Sequence, residues 1–225
     1  MKVLSVLLAL FLSVLSVNIK KPVKYIALTF DDGPHPKYTP QILKILYENE
    51  AAATFFVVGE NAERYPELVR AEYDLGFEIG NHTYTHFHLN EKNINALYDD
   101  IKKADDIICK ITGEIPKLFR PPEGKHNGRL DGIIKKAGKS TVLWTVDTRD
   151  WAHTDKEKII ENIKNNVKNG SVILFHDYII PPSPTPDVLC EIIPYLKSQG
   201  YEFVTVTELL RHKADIGETA SFFIG

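Results

Sequence analysis

The chain has 225 residues, enough for one substantial domain and tight for two. Its 44% hydrophobic and 25% charged residues exclude a disordered chain, a collagen-like fibre and a disulfide-framework miniprotein. Net charge is −3, from 27 basic and 30 acidic residues, so no domain-wide basic field attracts nucleic acid and no nucleic-acid partner is expected.

Lys2 precedes Val3 to Val17, fifteen residues of which twelve are apolar and three are Ser. A membrane span needs roughly 20 apolar residues. One positive charge before a short apolar run reads as a secretory signal over residues 1–17, with an uncleaved N-terminal anchor as the alternative. Both readings place the rest of the chain outside the cytoplasm, secreted or in the cell envelope.

From Lys24 onward, strand-like and helix-like segments alternate. Strands are expected at Tyr25–Phe30, Ala53–Val58, Phe77–Gly80, Lys117–Arg120, Thr141–Val146, Val172–Phe175 and Phe203–Val206. Helices are expected at Pro40–Glu48, Ala62–Tyr73, Ile94–Thr112, Leu130–Ala137, Lys156–Lys168 and Val188–Ser198. Seven strands alternating with helices imply a mainly parallel α/β sheet or barrel. The domain is expected over 22–212, with 213–225 as a C-terminal tail that packs as a last helix or frays. Cys109 and Cys190 lie 81 residues apart inside helical patterns and are read as small buried hydrophobes.

Chemistry-bearing residues gather where the strands end. Asp31 and Asp32 end the first strand, and His82 ends the third, with His86 four residues on. Arg120 ends the fourth, Asp147 and Asp150 the fifth, and His176 and Asp177 the sixth. In α/β barrels that rim carries the active site. His82 and His86 face one side if their segment is helical or tightly turned. Two imidazoles and a carboxylate make a three-ligand set of the kind catalytic zinc uses. Adjacent strand residues point to opposite sides, so Asp31 and Asp32 can hold different jobs: one binds metal and the other accepts a proton from water. His88 is read as a loop residue rather than a ligand.

Five stretches stand in a fixed order: Thr29-Phe30-Asp31-Asp32-Gly33-Pro34, His82-Thr83-Tyr84-Thr85-His86, Arg120-Pro121-Pro122-Glu123-Gly124, Asp147-Thr148-Arg149-Asp150-Trp151 and Leu174-Phe175-His176. Together they resemble the polysaccharide deacetylase family, the NodB-homology domain of carbohydrate esterase family 4, over roughly residues 22 to 210. The resemblance implies an irregular, TIM-barrel-like (β/α)7 barrel. It implies Asp31 as general base, Asp32, His82 and His86 as ligands of one divalent metal, and Arg120 as the residue that orients the base. It further implies His176 as general acid tuned by Asp150, Trp151 and Leu174 bordering the acetyl pocket, and the backbone N–H of Glu123 at the oxyanion. Zn²⁺ is the expected metal, with Co²⁺, Ni²⁺, Mn²⁺ or Fe²⁺ able to occupy the same set. Glu123 departs from the family pattern, which usually carries an aromatic residue there. Its side chain is expected to turn toward solvent or Lys125.

The activity so implied is hydrolysis of N-acetyl groups on a polysaccharide containing N-acetylglucosamine, peptidoglycan or chitin-like, with release of acetate. A monomer acting on a polysaccharide or oligosaccharide is expected. Two other readings stand beside it: O-deacetylation of acetylxylan, and an inactive carbohydrate-binding homologue. Loss of the base, a ligand or the acid would favour the last, and all are present.

Overall fold

The computed structural model describes residues 23–86, 94–215, 219 and 223–224. The expected export segment and His88 lie outside the described residues. Among the described residues no helix is long and apolar enough to cross a membrane.

Among the described residues nine strands form: β1 (Lys24–Asp31), β2 (Ala53–Val57), β3 (Glu78–Asn81), β4 (Leu118–Phe119), β5 (Ser140–Val142), β6 (Val146–Asp147), β7 (Val172–His176), β8 (Tyr201–Phe203) and β9 (Phe223–Ile224). The described residues also form the α-helices α1 (Tyr38–Glu48), α2 (Gly59–Arg64), α3 (Pro66–Asp74), α4 (Leu97–Thr112), α5 (Gly128–Lys136), α6 (Lys156–Asn166), α7 (Thr185–Ser198) and α8 (Val206–Asp215). Strands β6, β7, β1, β2, β3, β4 and β5 pair in that order, every pair parallel. This curled seven-stranded sheet with its helices is the irregular (β/α)7 barrel expected from the sequence. β9 adds antiparallel to β5, and β8 pairs parallel with the first residues of β1.

The count of seven is met by a different set of strands. The expected strand Thr141–Val146 is two, β5 and β6, at opposite ends of the pairing order. Arg120 explains the break: its Nε and Nη2 donate to the carbonyls of Val142 and Leu143, drawing the chain away from a continuous ladder. The expected strand Phe203–Val206 shifts to β8, off the main series. Val206 instead opens α8, because Thr205 and Glu208 form a capping box. The Thr205 N–H donates to Glu208 Oε2 (2.8 Å) and the Glu208 N–H to Thr205 Oγ1 (3.2 Å). The expected helix Ala62–Tyr73 is divided into α2 and α3 by Pro66, which takes the first position of α3 and leaves Tyr65 non-helical.

Period-two alternation sorts the strands into an outward and an inward face. Leu28, Phe30, Phe55, Ile173 and Phe175 pack against Ile42 and Leu46 of α1 and Ile192 and Leu196 of α7. Ala27, Phe56, Val142 and Val172 pack inside the barrel with Val206 and Leu209 of α8. At the C-terminal ends of β1 and β7, Asp31 and His176 continue the inward series of Ala27 and Val172, with Phe56 level with Asp31. Cys109 is half-buried and Cys190 exposed, both free thiols, which corrects the reading of two buried hydrophobes. In α7 the inward stripe is Val188, Leu189, Ile192, Ile193 and Leu196, and position 190 falls on the far side.

Candidate active site

A cleft of about 510 Å³ opens at the C-terminal ends of the strands. All but two of the site residues expected from the sequence line it: Asp31, Asp32, His82, His86, Glu123, Trp151, Leu174 and His176. Arg120 and Asp150, both fully buried, stand directly behind it.

Arg120 is a guanidinium without solvent contact. Its Nη1 donates to Asp31 Oδ1 at 2.7 Å and to Thr29 Oγ1 at 2.8 Å, and its plane lies over Phe56. Burial lowers its pKa from the ordinary value, against the opposing pull of Asp31. Every polar group around it accepts, so Asp31 is fixed in place with Oδ2 turned toward His82 Nε2, 3.8 Å away.

Asp32 follows in a left-handed backbone conformation, φ +75°. That break in the strand is what lets two consecutive carboxylates approach one cleft from different directions. The segment after β3 is likewise a turn and not a helix, with Thr83 at φ +69° and His86 at φ +49°. The turn brings His82 Nε2 to 3.3 Å and His86 Nε2 to 3.1 Å from the same oxygen, Asp32 Oδ1.

That oxygen is buried and accepts no hydrogen bond. The reason lies on the far side of the His82 ring, where Nδ1 sits 2.6 Å from the Arg120 carbonyl. A carbonyl only accepts, so Nδ1 carries a proton, and in the neutral imidazole Nε2 presents its lone pair to Asp32. A lone pair facing a carboxylate oxygen is repulsive unless a cation lies between them. Asp32, His82 and His86 are the one group among the described residues whose ligand atoms all lie within 4.8 Å of one another. One carboxylate and two neutral imidazoles suit a divalent first-row metal, with the His82 proton held on a backbone carbonyl as metal-binding histidines require. Without an ion, burial works against the Asp32 charge, but His82 and His86, when they carry protons toward it, hold its carboxyl well below the usual range. Burial also opposes the charge on His86, and Asp32 outweighs it, so its pKa is raised.

On the opposite wall, His176 Nδ1 lies 2.8 Å from Asp150 Oδ1, which leaves Nε2 for the cleft. Asp150 is saturated: it also accepts from the backbone N–H groups of Trp151 and His176 and from Thr185 Oγ1 at 2.7 Å. Burial disfavours the imidazolium, but Asp150 and then Asp32 and Asp31 overcome it and push the His176 pKa up to about 9.

Glu123 is at φ +60° beside the cleft, and its carboxylate meets Lys125 Nζ at 2.5 Å, the direction expected for it. Trp151 is half exposed at the rim, and Leu174 is buried in the wall. Sequence reasoning placed Asp147 at the rim without a specific role, and the cleft lining includes it; it gave no place to Trp144 or Thr185. Trp144 lines the cleft and packs so closely on Gly124 that a Cβ there would lie 2.6 Å from its ring. An aromatic residue in a strand reads as core, and a Thr opening a helix reads as a cap, so neither signals this position.

Comparison with known proteins agrees with this geometry. The family model described as polysaccharide deacetylase matches residues 18–142. A peptidoglycan-N-acetylglucosamine deacetylase of Bacillus cereus is 45% identical over 192 residues, spanning 84% of this chain and 90% of that protein. The structure of the peptidoglycan deacetylase PdaC from Bacillus subtilis superposes with a TM-score of 0.80 at 37% identity, covering 87% of this chain and 94% of that one. A family 4 acetyl xylan esterase from Clostridium thermocellum, solved in complex with a cobalt ion, gives 0.79 at 36% identity, covering 85% and 92%. The chain belongs to the polysaccharide deacetylase family.

Proposed function

We propose that the chain is a metal-dependent hydrolase that removes N-acetyl groups from N-acetylglucosamine units of peptidoglycan or a chitin-like polymer and releases acetate. The observation that carries this reading is the convergence of His82 Nε2 and His86 Nε2 on Asp32 Oδ1, a buried oxygen that accepts no hydrogen bond. Asp32, His82 and His86 would hold one divalent ion, Zn²⁺ in this reading. When bound, that ion supplies Lewis-acid polarisation of the acetyl carbonyl and the attacking water.

The chain's own residues supply the proton transfers. Asp31, held by Arg120 at 2.7 Å, accepts a proton from the water as it attacks the carbonyl carbon. His176, charged and aligned by Asp150 at 2.8 Å, gives a proton to the departing amide nitrogen as the C–N bond breaks. The products are acetate and a free amine on the sugar. The backbone N–H of Glu123 is assigned to the developing oxyanion, while its carboxylate stays with Lys125. Trp151 and Leu174 border the acetyl methyl.

The export reading of residues 1–17 accords with a cell-envelope substrate, and with the peptidoglycan named for the Bacillus relatives. A second reading, O-deacetylation, draws on the likeness to an acetyl xylan esterase. Acetate release from peptidoglycan, chitooligosaccharides and acetylxylan separates the two. Release from the first or second with little from the third is expected; release from acetylxylan alone overturns the N-deacetylase reading.

A further inference from the structure

Outside the cleft, a buried polar cluster surrounds Asp105, in the middle of α4. Asp105 has no solvent exposure and meets Lys139 Nζ at 2.5 Å and Lys102 Nζ at 3.1 Å. Lys139, almost fully buried, also donates to the Pro116 carbonyl. A buried ion pair is poor evidence of stabilisation, because apolar side chains of similar volume often serve as well. The cluster therefore asks for another explanation, and Asn81 provides one.

Asn81 ends β3, one residue before His82. Its Nδ2 donates to Asp105 Oδ1 at 2.8 Å and to the Ile101 carbonyl at 3.0 Å. A carboxylate paired with two ammonium groups only accepts, so the amide cannot turn over. Its Oδ1 is thereby committed to the other direction, where it accepts from the Thr83 N–H at 2.8 Å. Thr83 is the fully buried residue at φ +69°, a strained conformation for a β-branched side chain. Thr83 stands between the two imidazoles, and its left-handed turn is what sends His82 and His86 to one oxygen.

We propose that Asn81 is a positioning residue for the metal set: it clamps Thr83 in the left-handed turn that converges His82 and His86, and the buried Asp105–Lys139 pair fixes the clamp's orientation. The inference rests on the metal reading above. It assigns Asn81, Asp105 and Lys139 no contact with substrate.

The test is a double-variant cycle read by affinity for Co²⁺, titrated into chelator-treated full-length protein and followed by its visible absorption bands. Glycine adopts positive φ without strain, so Thr83→Gly removes the need for a clamp. Asn81→Ala is expected to weaken Co²⁺ binding by about 10- to 100-fold in the Thr83 background and by less than about threefold in the Thr83→Gly background. Equal losses in both backgrounds, or no loss in either, overturn the proposal. If Asn81→Ala does not fold, as judged by circular dichroism, Asn81→Ser is carried through the same cycle with the same outcomes. His82→Ala is titrated alongside. Undiminished Co²⁺ binding there would defeat the metal reading itself, whereas an additive cycle with a silent His82→Ala titration defeats only the clamp.

Discussion

Asp31 and His176 are register partners across the β1–β7 pair, side by side at the last position of each strand. Both continue an inward-facing series, Ala27, Thr29, Asp31 on one strand and Val172, Leu174, His176 on the other. Two groups assigned opposite proton transfers thus share one rim because two parallel strands end level. Each has its own buried partner, Arg120 for the base and Asp150 for the acid, and the two partners are charged oppositely to the groups they serve.

The Arg120–Asp31 pair has no solvent to fall back on. Arg120→Met would leave a buried carboxylate without its cation and three further acceptors without this donor. A loss of about 3–5 kcal/mol in unfolding free energy is expected, together with loss of turnover. The double variant Arg120→Met/Asp31→Leu should recover a good part of that stability, and none of the activity. Urea denaturation of the three proteins checks both.

His176 gives a signed pH prediction. Its folded pKa of about 9 exceeds the ordinary imidazole value of 6.5, so the protonated acid persists into alkaline solution. Activity that needs this proton should hold until the pH approaches the folded value and then fall. Asp150→Asn removes the largest favourable partner, and the alkaline limb should move down toward neutrality. By linkage, the raised pKa contributes stability that is fully present below about pH 6.5 and lost as pH rises through about 9. Bound metal offsets the share owed to Asp31 and Asp32, so the His176 resonance in an NMR titration should titrate higher in metal-free protein than in metal-loaded protein.

Glu72 of α3 is fully buried, and neither carboxylate oxygen has a partner. Burial first, and then nearby Asp177, raises its pKa well above the usual carboxylate value of 4.5. The folded protein must hold it neutral while the unfolded chain ionises it, so stability falls as pH rises above about 4.5. Glu72→Leu should be more stable than the parent at pH 8, by about 1–3 kcal/mol, with a smaller difference at pH 4.5. Thermal melts at the two pH values check the sign.

Glu123 sits where an aromatic residue is usual in the family, with its carboxylate on Lys125. Glu123→Tyr keeps the backbone N–H and offers a ring on which a sugar can stack. Metal content should be unchanged, and preference among sugar polymers should shift, mainly through KM. A collapse of kcat on every substrate with metal retained would assign the carboxylate to the chemistry.

The site was more legible in the sequence than the strands that carry it. Asp31, Asp32, His82, His86 and His176 stand at strand ends and announce their chemistry by residue type. What joins them did not show. Asn81 reads as a strand terminus, Asp105 as one of several acids on an amphipathic helix, and Lys139 as a surface charge after Gly138. Only the packing of α4 against β3 reveals that they meet. The break between β5 and β6 was hidden for the same reason, because Arg120, distant in sequence, takes the carbonyls that a continuous strand would use. The start of α8 was readable: Thr205 and Glu208 have capping-box spacing, which competed with the β-branched run around them.

The most direct test of the whole account is metal-dependent acetate release by the full-length protein, with and without its proposed ligands. Chelator-treated protein should release no acetate from peptidoglycan or chitooligosaccharides, and should regain activity with one equivalent of Zn²⁺ or Co²⁺. Asp32→Ala and His82→Ala should bind less than a stoichiometric ion and stay inactive under the same reconstitution. Full acetate release by the chelated protein, or stoichiometric metal in the Asp32→Ala/His82→Ala/His86→Ala variant, would contradict the account.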